Sequence, residues 1–283
     1  MLFMNKYKLR SICKKISDET GLNFNVIQTH YFLETILEKI SKSDENQNFI
    51  FKGGFLLASF VGIKQRSTVD IDFLIRKFSL TKENISRKLE NILKHEVYED
   101  INYEIKKIEE IRKDDEYGGF RITIECKLDN IRQIILLDIA TGDPITPKEI
   151  VYKYKSTFED KIYEIYTYNI ETILAEKIQT IYQRGVFNTR SKDFYDVYIL
   201  FHLKKKEIDY EKLSLACRNT FIHRNNQFNV VDILNVLGTL KDENDMLKYW
   251  DNYQYRFRYA KNISFHEVID TIAELMINLI KYD

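Results

Sequence analysis

The stretch FKGGFLLASFVGIKQRSTVDIDFLI, residues 51–75, decides the fold class of this chain. It begins with the glycine pair Gly53 and Gly54 and ends in a segment where Asp70 and Asp72 stand among apolar residues. An apolar segment of this length is typical of a strand near the middle of a sheet. Since successive side chains of a strand point to opposite faces, the two aspartates are predicted to share one face.

Two neighbouring carboxylates predict a cation site. They repel each other, and each resists ionisation unless a cation lies between them. Mg²⁺ is commonly bound through one or two carboxylates and the phosphates of a substrate. A Gly-Gly turn allows the backbone to approach a phosphate closely. Together Gly53, Gly54, Asp70 and Asp72 predict a metal-dependent nucleotidyl transfer site. The alternative is that the aspartates are two solvated groups on an exposed face.

Composition limits the class of protein. The 283 residues suffice for one large domain or two smaller ones, and 44% are hydrophobic and 30% charged. Acidic and basic residues balance at 43 each, which argues against a wholly electrostatic nucleic-acid binder but allows a local basic patch. The three cysteines lack metal-site spacing, the N-terminus is polar and no apolar run is long enough for a bilayer. These features predict a cytoplasmic protein that does not bind membranes.

The first 168 residues are predicted to form an α+β domain. Helical periodicity covers residues 24–42, and a second helix is predicted over 80–93. Alternating and continuous apolar runs predict strands over 102–139, the last of which delivers Asp138 near its end. The order of strand, helix, strand and then meander is typical of an α+β catalytic domain.

Residues 169–283 are predicted to be almost entirely helical. The first helix of this part carries Lys177, and the second carries Asp193 and Asp196, which are three residues apart and share a face. A lysine on a helix is a natural partner for a triphosphate, and a carboxylate opposite it could hold a metal or orient an attacking hydroxyl. The alternative is an ion pair between Lys177 and one of the two aspartates, and the choice between the aspartates stays open.

Three segments, which contain four motifs, resemble one known family. They are residues 51–75, LLDIATGDPITP at 136–147, and YNIETILAEKIQTIYQRGVFNTRSKDFYDVYIL at 168–200. In composition and order they resemble the AbiEii-type toxins of bacterial abortive-infection and toxin–antitoxin systems. The resemblance spans about residues 47–200. It implies a nucleotidyltransferase-like mixed sheet with flanking helices in residues 1–168. It also implies a helical domain, 169–283, that completes the active-site cleft.

The resemblance assigns roles to matching positions. It implies that Asp70 and Asp72 ligate Mg²⁺ or Mn²⁺ and that Lys177 contacts the triphosphate of an NTP substrate. It implies that Asp193 is the acidic member of the fourth motif. The glycine pair described above is implied to hold the nucleotide phosphates.

Three further positions follow from the same resemblance. Asp138 matches the second motif, as a third metal ligand, a polar support for the other carboxylates or an organiser of the strand end. Thr68 matches a position where a hydroxyl faces the phosphates. Phe55 departs from the family, which often has a small hydroxyl residue there, and this departure removes one phosphate donor.

The resemblance implies an RNA acceptor, a tRNA modified at its 3′ end so that translation stops. Residues 253–261 interleave aromatic and basic side chains, which suits base stacking and phosphate contact, and Arg256, Arg258 and Lys261 are the candidate RNA contacts. The alternative is that these aromatic residues pack a core. A cognate antitoxin encoded nearby is also implied, for which direct contact with the toxin is not required.

Two other functions remain open. A nucleotide-binding regulatory protein on the same scaffold would bind metal and nucleotide with little turnover. A non-catalytic interaction module would bind no nucleotide. The motifs leave open which NTP and which RNA are used.

Overall fold

The computed structural model describes residues 4–94, 100–111 and 118–282. It contains two compact units, and each is described by itself below. The first comprises Met1–Asp143 and Ile150–Thr167, and the second comprises Pro144–Glu149 and Tyr168–Asp283. Among the described residues, none of the helices combines the length and the apolar composition needed to cross a bilayer.

A seven-stranded mixed sheet forms the centre of the first unit, in the order β3-β4-β5-β2-β1-β7-β6. The strands are β1 (Phe49–Lys52), β2 (Asp70–Ile75), β3 (Ile101–Ile111), β4 (Gly119–Leu128), β5 (Ile131–Ala140), β6 (Ile150–Lys155) and β7 (Ile162–Thr167). Strand β2 is antiparallel to β1 and parallel to β5, so it lies inside the sheet with both edges paired. Its burial explains why its sequence is apolar except at the two aspartates.

Four helices accompany this sheet: α1 (Lys6–Thr20), α2 (Phe24–Lys42), α3 (Gly53–Val61) and α4 (Lys82–Lys94). The sequence predicted α2 as an amphipathic helix, but the helix is buried on nearly all sides between Ile27 and Ile40. Burial includes Glu34, whose carboxylate accepts hydrogen bonds from the hydroxyls of Tyr154 and Ser156. A buried charge of this kind is tolerated because hydrogen bonds replace the lost water.

The pKa of Glu34 reflects the same balance. Burial alone would raise it, but hydrogen bonds from His30, Ser156 and Thr157, together with the charge of His30, outweigh burial and hold the pKa below its ordinary value. This network joins helix α2 to the hairpin of β6 and β7, which continues the same sheet beside β1.

The second unit is helical. Its helices are α5 (Ile170–Arg184), α6 (Ser191–Lys204), α7 (Tyr210–His223), α8 (Val230–Lys241), α9 (Asn244–Arg256) and α10 (Phe265–Ile277). Helix α5 begins where the Asn169 side chain accepts a hydrogen bond from the backbone N–H of Thr172, and it ends at Gly185. Asn169 also donates to the backbone carbonyls of Thr146 and Lys148, which ties the short segment 144–149 to this helix.

The predicted α+β class is confirmed, with a mixed sheet, flanking helices and a helical C-terminal part. Strands were predicted over residues 102–139, and β3, β4 and β5 fall there. Residues 112–117 of that range lie outside the described residues. Helix α1 and strands β6 and β7 were not predicted from the sequence.

Candidate active site

A row of charged side chains crosses the sheet of the first unit. Asp72 on β2 is paired in register with Lys52 on β1 and with Asp138 on β5, and Asp138 is paired with Arg121 on β4. Residues paired across neighbouring strands lie side by side on one face of the sheet. The row therefore has two carboxylates in the centre and a cation at each end.

Asp70 belongs to the same face, two residues before Asp72 on β2. The side chains of Asp70, Asp72 and Asp138 are all partly exposed, while the residues between them along the strands are buried. The strand alternation predicted from the sequence thus places the apolar side chains in the core and the carboxylates at the surface. The structure brings these three predicted site residues together on one face.

The Asp72 carboxylate occupies the space that a side chain at Gly53 would need. The φ of Gly53 is +77°, in the region that favours glycine, and a Cβ built at this position would lie 2.0 Å from Oδ2 of Asp72. Gly53 is also the first residue of helix α3. The carboxylate therefore lies directly against the beginning of that helix, and a side chain at this position would displace it.

Gly54 and Thr68 lie on the other side of the same turn. A Cβ at Gly54 would lie 3.3 Å from the Arg66 guanidinium and 3.4 Å from the Thr68 hydroxyl. The Thr68 hydroxyl donates a hydrogen bond to Oδ1 of Asp70. In this state the hydroxyl orients a predicted metal ligand, a role that the sequence did not predict for it.

Phe55 explains the departure from the family pattern. Its ring is fully buried and packs against Phe51, His30 and Tyr154, with ring centroids 5.4, 4.7 and 6.0 Å away. It belongs to the aromatic core behind the glycine turn. The turn of this chain therefore offers backbone N–H groups near Gly53, with no side-chain hydroxyl at position 55.

Arg121 belongs to this row of charges and is not among the residues that the sequence predicted for the site. Its Nε and one terminal nitrogen donate hydrogen bonds of 2.8 and 2.7 Å to the two carboxylate oxygens of Asp138. These hydrogen bonds and the charge of Asp138 raise the pKa of Arg121, with smaller contributions from Asp70 and Asp72. The alternation around Phe120 and the next apolar residues placed this arginine on the polar face of β4, but its partner depends on strand register.

Lys52 closes the opposite end of the row. Its ammonium lies 2.7 Å from Oδ2 of Asp143, and both side chains are nearly buried. Asp143 comes from the Gly-Asp-Pro turn after β5, so this ion pair fixes that turn against β1. The second motif thus contributes one carboxylate to the row and another to its edge.

The donor set of the row fits a hard cation such as Mg²⁺ or Mn²⁺. All the donors are carboxylate oxygens, and Mg²⁺ is normally held by one or two carboxylates with water and substrate phosphates. Among the residues that the structure describes, none of the groups of three or more His, Cys, Asp or Glu side chains is arranged to hold a metal.

The second unit contains an ion cluster of its own. The Lys177 ammonium on α5 lies 2.6 Å from Oδ1 of Asp193 and 3.1 Å from Oδ2 of Asp196, both on α6. Nε of Arg190 lies 3.0 Å from Oδ2 of Asp193. The aspartate side chains are 1% and 0% exposed, and Lys177 is 17% exposed. The structure therefore brings the predicted lysine together with both candidate carboxylates.

The basic segment near the C-terminus has two faces. The rings of three aromatic residues pack on one another: the ring centroids of Tyr253 and Phe257 are 4.8 Å apart, and those of Phe257 and Tyr259 are 5.4 Å apart. Tyr255 is 92% exposed, and the candidate RNA contacts Arg256, Arg258 and Lys261 are exposed as well. An open pocket of about 600 Å³ is lined by Gln254, Tyr255, Arg258, Lys261, Asn262, Ile263 and Ser264. Most of the aromatic side chains thus form a core, while Arg258 and Lys261 line a pocket and Arg256 is exposed.

One family model matches most of this chain. The family model described as "Nucleotidyl transferase AbiEii toxin, Type IV TA system" matches residues 35–271. No curated protein gives a significant sequence match.

Three solved structures are similar to this chain. A candidate nucleotidyltransferase from H. pylori is 16% identical, with a TM-score of 0.49 over 92% of this chain and 96% of that chain. JHP933 from Helicobacter pylori is 16% identical, with a TM-score of 0.48 over 92% and 94% of the two chains. An antigenic nucleotidyltransferase-like protein from Paracoccidioides brasiliensis is 18% identical, with a TM-score of 0.41 over 70% and 88%.

Proposed function

This chain belongs to the family of AbiEii nucleotidyl transferase toxins of type IV toxin–antitoxin systems, and from that premise we propose that it transfers a nucleotide from an NTP to an RNA in a reaction that requires Mg²⁺ or Mn²⁺. The family match covers most of the chain and confirms the resemblance that the motifs predicted. The observation that carries the proposal is the carboxylate row, in which Asp70, Asp72 and Asp138 share one face of the sheet beside the glycine turn.

Asp70 and Asp72 are the proposed ligands of the cation. A bound divalent cation would neutralise the triphosphate and favour departure of pyrophosphate. The backbone at Gly53 and Gly54, at the beginning of helix α3, is proposed to face the phosphates, because a helix N-terminus favours negative charge. The glycine pair adds no side chain of its own beside Asp72, Arg66 and Thr68.

The reaction is a substitution at the α-phosphorus. A hydroxyl of the acceptor forms the new phosphorus–oxygen bond, and the bond to the pyrophosphate oxygen breaks. The proton of the hydroxyl passes to a carboxylate, for which Asp138 and Asp193 are the candidates. Lys177 is proposed to bind the triphosphate and to stabilise the negative charge that develops on it. For this role its ammonium must exchange one of its two aspartate partners for a phosphate.

The proposed acceptor is the 3′ end of tRNA, whose modification would block translation. The support is the toxin family, the exposed Arg258 and Lys261 that line the pocket with Tyr255, and the exposed Arg256 next to Tyr255 in the chain. An exposed tyrosine beside cationic side chains suits a single-stranded end, which offers bases for stacking and phosphates for ion pairs. The reaction is proposed to occur in the cytoplasm, where an antitoxin encoded nearby would oppose it.

A transfer assay tests this proposal. The protein is incubated with total tRNA, Mg²⁺ and each of the four α-labelled NTPs in turn, and the modified RNA is sequenced. The expected result is label at tRNA 3′ ends from a subset of the NTPs, abolished by EDTA and by Asp70→Asn. Label on another RNA would overturn the tRNA assignment, and an absence of label with every NTP and RNA would overturn transfer.

A second candidate function is nucleotide binding with little turnover. The observation that favours it is that both proposed reactive groups already have ionic partners, Asp138 with Arg121 and Lys177 with two aspartates. Calorimetry with Mg²⁺ and each NTP separates the two functions. Tight binding without any transfer to RNA would support this second function and contradict the first.

A further inference from the structure

Arg121 occupies the coordinating atoms of Asp138. Its two hydrogen bonds, of 2.8 and 2.7 Å, use both oxygens of that carboxylate. The arrangement is a planar guanidinium facing a planar carboxylate, the geometry in which arginine binds acids most strongly. While it persists, Asp138 has less of its charge and fewer of its lone pairs available to a cation.

Arg121 has an acidic residue on each side and pairs with only one of them. In register, β4 places Arg121 between Glu109 of β3 and Asp138 of β5. The carboxylate of Glu109 is 2.7 Å from the ammonium of Lys107, whereas the guanidinium of Arg121 binds Asp138. The arginine thus points along the row toward Asp72, the side where negative charge is most concentrated.

The two members of this pair differ in exposure. The side chain of Arg121 is 42% exposed and that of Asp138 is 17% exposed. The long arginine can therefore leave toward solvent without disturbing the core, while Asp138 stays fixed on the strand. Because the arginine end of the pair is open to solvent, a divalent cation bound beside Asp138 can compete with it for the carboxylate.

We propose that Arg121 is a built-in counter-ion that competes with the divalent cation for Asp138. In the metal-free protein it neutralises part of the carboxylate row, and binding of the cation beside Asp72 releases it. The proposal rests on the proposed function, because it takes Asp70 and Asp72 as cation ligands. It assigns to Arg121 a positioning role that acts through Asp138.

Competition makes an unusual prediction, namely that loss of a positive residue tightens cation binding. Mn²⁺ binding to the full chain without nucleotide is measured by calorimetry for the wild type and for Arg121→Gln. The variant is expected to bind Mn²⁺ about threefold to tenfold more tightly, the range that corresponds to a partly exposed charged hydrogen-bond pair. Arg121→Lys keeps the charge but cannot donate two parallel hydrogen bonds to the carboxylate, so an intermediate affinity for Mn²⁺ is expected.

Two controls separate competition from a general change in charge. Lys127→Gln removes a partly exposed cation on the same face of β4, where Lys127 pairs with Glu125 and Glu104, and it is expected to leave Mn²⁺ affinity nearly unchanged. In an Asp138→Asn background, Arg121→Gln is expected to have no further effect on affinity, since the contested carboxylate is gone.

The metal-free protein gives an independent readout. Without a cation, Arg121→Gln leaves the carboxylate row less neutralised, so its melting temperature is expected to fall in EDTA and to recover more than that of the wild type on addition of Mg²⁺. Unchanged or weaker Mn²⁺ binding by Arg121→Gln would overturn the proposal, as would a wild type that binds no Mn²⁺. Failure to label tRNA would overturn the proposed acceptor while leaving this competition intact, so the two failures are distinguishable.

Discussion

The two charged clusters of this protein are built in opposite ways. The carboxylate row of the first unit lies on partly exposed strand positions, with three acids on one face and a cation at each of the two ends. In the cluster of the second unit the two aspartates are buried on helix α6, and they are matched by Lys177 and Arg190. The first arrangement leaves acids side by side, whereas the second compensates each acid within the protein.

This difference separates two kinds of contribution. Side-by-side acids near solvent repel one another, so they add little to the stability of the fold, but they favour the binding of a cation. A buried and compensated ion cluster contributes to conformational stability only while it is complete, because loss of one partner leaves a buried charge. The row is thus expected to matter mainly for chemistry, and the helical cluster for both chemistry and folding.

The largest effect is expected from Asp70→Asn. The substitution keeps the shape of the side chain and removes the charge that would hold the cation, so transfer is expected to fall by about 10³-fold or more. The melting temperature is expected to stay within a few degrees of the wild type, since one repulsion is lost. Single-turnover transfer and thermal unfolding measure the two quantities.

Glu125→Gln is the matched control for that variant. Glu125 is a carboxylate on strand β4 of the same sheet whose partners are Lys127 and Lys106, outside the row. Its substitution is expected to leave transfer nearly unchanged. Equal losses in the two variants would remove the distinction between the row and other surface acids.

The reverse pattern is expected from Lys177→Met. Removal of the ammonium leaves Asp196 buried without this partner and Asp193 with Arg190 alone, at a cost of about 3 kcal/mol of stability. Urea unfolding of the full chain measures the loss. Adding Asp196→Asn to Lys177→Met is expected to restore part of the stability but none of the transfer activity. Retained stability in the single variant would show that the cluster does not support the fold.

A glycine substitution tests the link between the turn and the row. Gly53→Ala introduces a Cβ within 2.0 Å of Asp72 and also strains a positive φ, so we expect a loss of about 2 kcal/mol or more and weaker Mn²⁺ binding. Gly62→Ala is the control, because Gly62 also has a positive φ but nothing lies within 4 Å of its Cβ position. The comparison isolates the displacement of Asp72, and equal Mn²⁺ affinity in both variants would contradict it.

Local patterns were sufficient to predict most of the row. The alternation around Asp70 and Asp72 fixed their common face, and the apolar run before Asp138 indicated a buried strand. Both features depend only on residues that are close together in the sequence, so they can be predicted from the sequence alone. The helix boundaries of α5 were accessible for the same reason, through Asn169 at its beginning and Gly185 at its end.

What the sequence did not predict depends on distant pairing. The contact of Arg121 with Asp138 requires the register of β4 against β5, which residues 17 apart along the chain do not specify. Helix α2 was predicted with one apolar stripe, yet it buries Glu34 because a hydroxyl from β6 and groups from the β6–β7 turn satisfy that carboxylate. These hydrogen bonds come from residues that are distant in the sequence, whereas hydropathy alone predicts that a glutamate is exposed.

The smallest effect is expected at the basic residues of the second unit. Arg258 and Lys261 are exposed beside the pocket that Tyr255 also lines, and among the described residues they are not paired with buried aspartates as Lys177 is. Arg258→Gln is expected to weaken tRNA binding about threefold at moderate salt and to reduce the slope of log Kd against log salt by about 1, as for the loss of one phosphate contact.

Lys14→Gln is the control, since Lys14 is an exposed lysine on helix α1 of the first unit. It is expected to leave the slope unchanged, because an isolated surface lysine away from the RNA releases no counter-ion on binding. Filter binding of labelled tRNA across a salt series measures both variants. An equal slope for Arg258→Gln and the wild type would remove this pocket from the RNA-binding surface, and the sheet face would then be the next surface to test in the same way.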